Sequence, residues 1–149
     1  MCGDADIEKV STGAVKGRFI NCGQSSIASK RFIVVKEVAG EFTEKFVQKT
    51  EQLRVGDPLS EDTDIGPLVN SKSLENMEGI VNRTIKLGAE ILIGGKRINC
   101  KGFFFCLTVF KDVSPEMEIA QEVFGPVAPK ITAIDEKQAL EIPTILNLI

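Results

Sequence analysis

The sequence contains no histidine, no tryptophan and no tyrosine. The missing imidazole excludes a Ser-His-Asp triad, a Cys-His pair and any His-ligated zinc. Whatever chemistry the chain supports must use carboxylates, Lys, Cys, Ser or a bound cofactor. Paired cysteine motifs are missing too. Cys2, Cys22, Cys100 and Cys106 form no C-x-x-C unit, and their spacing suits neither a zinc ribbon nor a redox dithiol. Free thiols in a reducing cytoplasm are the expectation, with no metal site. No dense basic run occurs either: 18 basic residues stand against 21 acidic ones, a net charge of −3, which does not invite nucleic acid. Apolar runs such as Gly102 to Phe110 fall short of the ~20 residues a membrane helix needs. The polar opening Met1-Cys2-Gly3-Asp4-Ala5-Asp6 is no secretory leader. A soluble, cytoplasmic protein is expected, without a membrane as partner.

What remains is ordinary globular material. With 149 residues, 43% of them hydrophobic, the chain is expected to form one domain over 1–149 with a sizeable core. A helix starts after Asp4 or Asp6, with Ile7, Val10, Ala14 and Phe19 or Arg18 near the 3.6 period. Gly13 and Gly17 weaken that helix or let something pack closely on it. Asn21-Cys22-Gly23-Gln24-Ser25-Ser26 reads as a turn, and Arg31 to Val35 as a buried strand. A second amphipathic helix runs from about Val38 to Leu53, with Phe42, Phe46 or Val47, and Leu53 on its apolar face. Turn chemistry fills Arg54 to Pro67. Asn70 or Ser71 caps a third helix striped by Leu74, Met77, Val81 and Ile85, and Gly88 stops it. Strands follow at Ala89–Ile93 and Phe103–Phe110, a short helix at about Glu116–Gln121, and a strand at Ala128–Ile134. A last helix from Glu136 is interrupted by Pro143. Strands alternating with helices imply an α/β arrangement whose sheet is mostly parallel and flanked by helices.

Singly, the local motifs are weak. Gly94-Gly95 lacks the spacing of a phosphate loop, and no G-x-G-x-x-G or G-K-[ST] occurs. Glu122, beside Val123-Phe124-Gly125-Pro126, suits either a site carboxylate or a solvated residue before a turn. In order along the chain, though, four segments resemble the aldehyde dehydrogenase superfamily. They are Asp4-Ala5-Asp6-Ile7-Glu8-Lys9; Gly17-Arg18-Phe19-Ile20-Asn21-Cys22-Gly23-Gln24-Ser25-Ser26; Val55-Gly56-Asp57-Pro58 with Asp64-Ile65-Gly66-Pro67-Leu68; and Glu116 to Val127. The resemblance covers nearly all of residues 4–135 and is nearest the succinate-semialdehyde dehydrogenase-like branch.

The resemblance implies the catalytic-domain fold of that family and oxidation of an aldehyde to an acid with NAD or NADP. In that chemistry a Cys thiolate attacks the aldehyde, hydride passes to the nicotinamide, and a Glu-activated water releases the acid. Residue by residue, the departures are specific. The nucleophile's motif G-Q-x-C reads Gly23-Gln24-Ser25-Ser26, so Ser26 holds its place, and a hydroxyl ionises far less readily than a thiol. Backbone N–H groups near Ser26 would still serve an oxyanion pocket. Cys22 is either a stand-in nucleophile, ~6 Å away if the stretch is helical, or a small buried filler. Glu122 and Phe124 match positions that hold the nicotinamide ribose and shape the nicotinamide pocket. The family often has one more acidic residue before this Val-Phe-Gly-Pro run, and its loss would rotate a preceding helix by ~100°.

The family's base Glu and dinucleotide domain would precede Met1, and the match fades after about Asp135, so the chain reads as truncated at both ends. Binding of NAD or NADP by this chain alone is not expected. The apolar stretch Ile142 to Ile149 should bury against something, such as another subunit. Two functions are therefore weighed: a catalytically deficient aldehyde dehydrogenase domain, and a non-catalytic partner for a second copy or a full-length relative. Residual esterase chemistry through Cys22 or Ser26 is a third.

Overall fold

A computed structural model describes residues 1–145. Helix α1, Ile7–Phe19, begins where the Asp6 carboxylate accepts the Lys9 N–H at 3.1 Å. Its buried face is Ser11, Ala14, Val15, Arg18 and Phe19. The two glycines of α1 differ: a Cβ on Gly17 would meet Ser29 Oγ at 3.1 Å, whereas Gly13 has open space. Only Gly17 marks a close approach. After strand β1, Phe32–Val35, helix α2, Lys36–Glu51, returns along α1 with Val38, Ala39, Phe42 and Phe46 inward. Phe32, Phe42 and Phe46 form a ring cluster with centroids 5.0–6.0 Å apart, and Phe19 joins it 6.2 Å from Phe46. Such aromatic packing supplies much of the apolar burial between the helix pair and the sheet.

Helix α3, Ser71–Lys86, is capped by Asn70, whose side chain accepts the Ser73 N–H at 2.8 Å. Its stripe is Leu74, Met77, Ile80, Val81 and Thr84, while Ile85 stays 44% exposed. Thr84 tolerates that burial because its hydroxyl donates to the Ile80 carbonyl. Gly88, at φ +100°, ends the helix as expected.

Strands β2, Glu90–Ile93, β3, Thr108–Lys111, and β4, Val127–Ala133, complete a four-stranded sheet in the order β1-β4-β3-β2. The β1–β4 and β4–β3 pairs are parallel, and β2 runs antiparallel to β3. The sheet is thus mixed and largely parallel, with β4 central and almost wholly buried.

Three local expectations are corrected. The strand foreseen at Phe103–Phe110 shortens to Thr108–Lys111, because Phe103 turns its carbonyl to the Leu68 N–H and Phe105 makes only an isolated bridge to Arg97. The helix foreseen at Glu116–Gln121 is a single 3-10 turn, Glu118–Ala120, bounded by extended backbone at Met117 and Gln121. The rotation of a preceding helix there has no helix to act on. The last helix, α4, Glu136–Ile145, runs on through Pro143, at the loss of one intrahelical donor near its end. Ile142 is buried in the core, and the rest of the apolar stretch from 146 to 149 lies outside the described residues. Among the described residues no helix is long and apolar enough to cross a membrane.

Candidate functional site

The chain leaves α1 through three successive residues in the left-handed region. Asn21 and Cys22 have φ of 49° and 56°, and Gly23 has +67°. Gly23 is required there for a second reason: a Cβ would stand 2.1 Å from the Gly125 carbonyl oxygen. The stretch is therefore a tight turn, and the helical spacing assumed between Cys22 and Ser26 does not occur. Gln24 fastens the turn to a neighbouring segment. Its Oε1 accepts the Val69 N–H at 2.9 Å, and its Nε2 donates to the Pro67 carbonyl at 3.4 Å. Ser26 sits exposed on the outside of this turn.

A second limb faces the first. Glu122 and Phe124 are exposed, with Phe124 at 47%, while Val123 and Gly125 between and beyond them are buried. The Gly125 N–H donates to the Gly23 carbonyl at 3.1 Å, which joins the limbs directly. Lys30 bridges them further out. Its Nζ donates to the Ser25 carbonyl at 2.8 Å and lies 3.9 Å from the centre of the Phe124 ring, a cation–π contact. Ser26, Glu122 and Phe124 therefore share one region, as two limbs of a shallow face.

Arg18 holds this face from beneath. Its guanidinium is 0% exposed. Nε donates to the Val127 carbonyl at 2.6 Å, Nη1 to Ser29 at 2.8 Å, and Nη2 to Gly125 at 2.5 Å and Val123 at 3.3 Å. Burial pulls Arg18 down to about 10. Lys30 is lowered as well, first by burial and next by the charge of Arg18, with Glu122 pulling the other way. Arg31 follows the same pattern of burial opposed by Glu122, and its Nε is buried without a partner.

Cys22 lies 3% exposed in the core cluster, and burial pushes its thiol up to about 11 despite the nearby Arg18 charge. At neutral pH it is protonated and shielded, the properties of a small apolar filler. Ser26 has the exposure a nucleophile needs. The basic group of its own turn, Lys30, is directed instead at the Ser25 carbonyl and the Phe124 ring.

Two residues of this face escape sequence reasoning. Arg18 appears there as an alternative to Phe19 in a helical pattern and within a resembling segment, with no role given to it. A guanidinium recurring on the same helix face as Ala14 and Val15 was the available signal. Lys30 offers none, being one of two basic residues before a strand.

An exposed carboxylate, Glu122, and an exposed ring, Phe124, stand on the limb joined to the Ser26 turn, groups that could meet the ribose hydroxyls and flat ring of a dinucleotide. No glycine-rich cradle for its phosphates occurs among the described residues, and no trio of acidic or Cys side chains gathers at metal spacing among them. A hollow of about 680 Å³ opens between α1 and α2, lined by Phe19, Ile20, Lys49 and Leu53, and contains none of Ser26, Glu122 or Phe124.

Known proteins resemble this chain in sequence and in fold. The profile of the aldehyde dehydrogenase family matches residues 1–143. A succinate-semialdehyde dehydrogenase (NADP+) of Mycobacterium leprae is 44% identical over 139 residues, which cover 93% of this chain and 30% of that protein. A solved 3,6-anhydro-L-galactose dehydrogenase superposes with a TM-score of 0.90 at 37% identity, over 94% of this chain and 30% of that one. An NAD+ complex of an aldehyde dehydrogenase from Bacillus cereus gives 0.90 at 31% identity, over 95% and 29%. The chain thus spans about 30% of the length of the relatives it matches.

Proposed function

Because the chain belongs to the aldehyde dehydrogenase family, we propose that it forms a catalytic-domain-like unit of an NAD- or NADP-dependent enzyme oxidising a small aldehyde, and that these 149 residues alone are catalytically deficient. One observation carries the second half: Ser26, exposed at the nucleophile's place, offers a hydroxyl with no base directed at it, while the nearby Cys22 thiol is buried and protonated. Ser26 and Cys22 remain the residues through which any covalent step would pass. Glu122 and Phe124 would meet the ribose and nicotinamide of the dinucleotide, which when bound supplies the hydride acceptor. In this reading Arg18 keeps the two limbs together, Gln24 fastens the Ser26 turn to the Pro67–Val69 segment, and the free thiols belong to a reducing, cytoplasmic setting.

The test is direct. The purified chain is mixed with NAD or NADP and a panel of short aldehydes, succinate semialdehyde included, and absorbance of the reduced nicotinamide is followed. No cofactor reduction is expected. Robust turnover overturns the deficiency.

A second reading is assembly with another copy or a longer relative. Leu59, Ile27, Leu140 and Ile134 are among the large apolar side chains left exposed, and contact with a partner surface would bury them. Sedimentation at micromolar concentration decides it, and a clean monomer with no affinity for a full-length succinate-semialdehyde dehydrogenase removes it.

A further inference from the structure

A buried guanidinium is costly to hold unless its donors find acceptors and its charge is offset. Among the described residues Arg18 meets no carboxylate. Its acceptors are the carbonyls of Ser29, Val123, Gly125 and Val127. They come from two separate stretches. Ser29 follows the turn that carries Ser26, and the other three alternate along the segment that presents Glu122 and Phe124. A planar five-donor fork can serve carbonyls on several sides at once, which a single ammonium cannot. An apolar side chain would fill the same space without the desolvation cost, so packing alone gives no reason for an arginine at this position.

We propose that Arg18 is the positioning residue of the Ser26 face. With carbonyls 123, 125 and 127 drawn inward onto one guanidinium, Glu122 and Phe124 are the side chains left outward, Phe124 against Lys30 and Glu122 close enough for its charge to act on Lys30. The assignment rests on reading that face as the aldehyde site. Arg18 itself touches no reacting group and acts only through the limb it anchors.

The electrostatic link between Glu122 and Lys30 reports that position. In the native chain, Glu122→Gln should lower the Lys30 pKa, because the carboxylate opposes the effects of burial, Arg18 and Arg31. The experiment follows Lys30 by NMR of its ε-carbon through a pH titration, with and without Glu122→Gln, in native, Arg18→Lys and Arg18→Met chains. Amide exchange of Gly125 is measured beside Phe110 of β3 as an internal control. Arg18→Met should abolish the response of Lys30 to Glu122→Gln and speed Gly125 exchange about tenfold relative to Phe110. Arg18→Lys keeps the charge but not the fork, and should also lose the response. A Lys30 that ignores Glu122→Gln in the native chain overturns the proposal, as does a folded Arg18 variant with native coupling and native Gly125 exchange. If Arg18→Met does not fold, Arg18→Lys decides by the same two readouts. Neither readout uses aldehyde or dinucleotide, so failure of the aldehyde reading is scored separately, by the turnover assay.

Discussion

Gly23 and Gly125 cross back to back, the Gly125 amide donating to the Gly23 carbonyl at 3.1 Å where a Cβ on Gly23 would stand 2.1 Å from the Gly125 oxygen. Gly23 is also left-handed, at φ +67°. Strain and overlap therefore act together in Gly23→Ala. The variant should lose roughly 2–5 kcal/mol, read as a lower urea midpoint at unchanged slope. A loss below about 1 kcal/mol would mean the crossing relaxes easily.

Phe46 is buried and stacks against Phe42, 5.5 Å away, with Phe32 and Phe19 completing its surroundings. Phe46→Ala removes the hub of this cluster from between α1, α2 and β1. About 3–5 kcal/mol should go with it, whereas Phe46→Leu should cost less because more of the volume is kept. Equal losses in the two variants, by urea denaturation, would contradict the packing argument.

Glu8 on α1 reaches across to α2, where Lys49 and Lys45 donate to its carboxylate and lower its pKa from 4.5 to about 2. A carboxylate lowered on folding stabilises above its unfolded value and loses that contribution as pH falls through its folded value. The gap in stability between the native chain and Glu8→Gln should therefore be full at neutral pH and close between pH 4.5 and about 2. The cluster is exposed, so added salt should narrow the gap as well. A gap independent of both pH and salt would show that the ion pairs contribute nothing.

The thiols should separate by burial. Cys2 and Cys100 are exposed, Cys106 is intermediate and Cys22 is buried. Iodoacetamide at mildly alkaline pH should label Cys2 and Cys100 first and leave Cys22 until denaturant opens the core. With the Cys22 pKa raised from 9.0 to about 11 by burial, the folded state holds a proton that the unfolded chain releases. That stability is present below pH 9.0 and is lost as pH rises toward about 11. Labelling of Cys22 in the native state at the rate of Cys100 would disprove its shielding.

Local rules made most of the frame legible. Of the paired cap candidates, Asp6 and Asn70 are the caps, Gly88 ends α3, and the β-branched run up to Val35 is a strand. These features depend on neighbours within a few residues. Long-range backbone bonds do not. Phe103 was placed in a strand because its neighbours are apolar, yet its carbonyl is taken by Leu68. The candidate face divides the same way. Ser26, Glu122 and Phe124 could be named from ordered motifs, but Arg18 bonds to carbonyls 105 to 109 residues further along the chain, and no local pattern reaches so far.

The close crossing of Gly23 and Gly125 separates ancestry from reactivity. Gly23 and Gly125 answer a steric demand of the backbone crossing, and a hydroxyl in place of a thiol at position 26 leaves that demand unchanged. The demand is met by backbone and glycine alone, with no reacting group involved. Their presence records a steric necessity of the fold, and it says nothing about whether a bond is made or broken beside them.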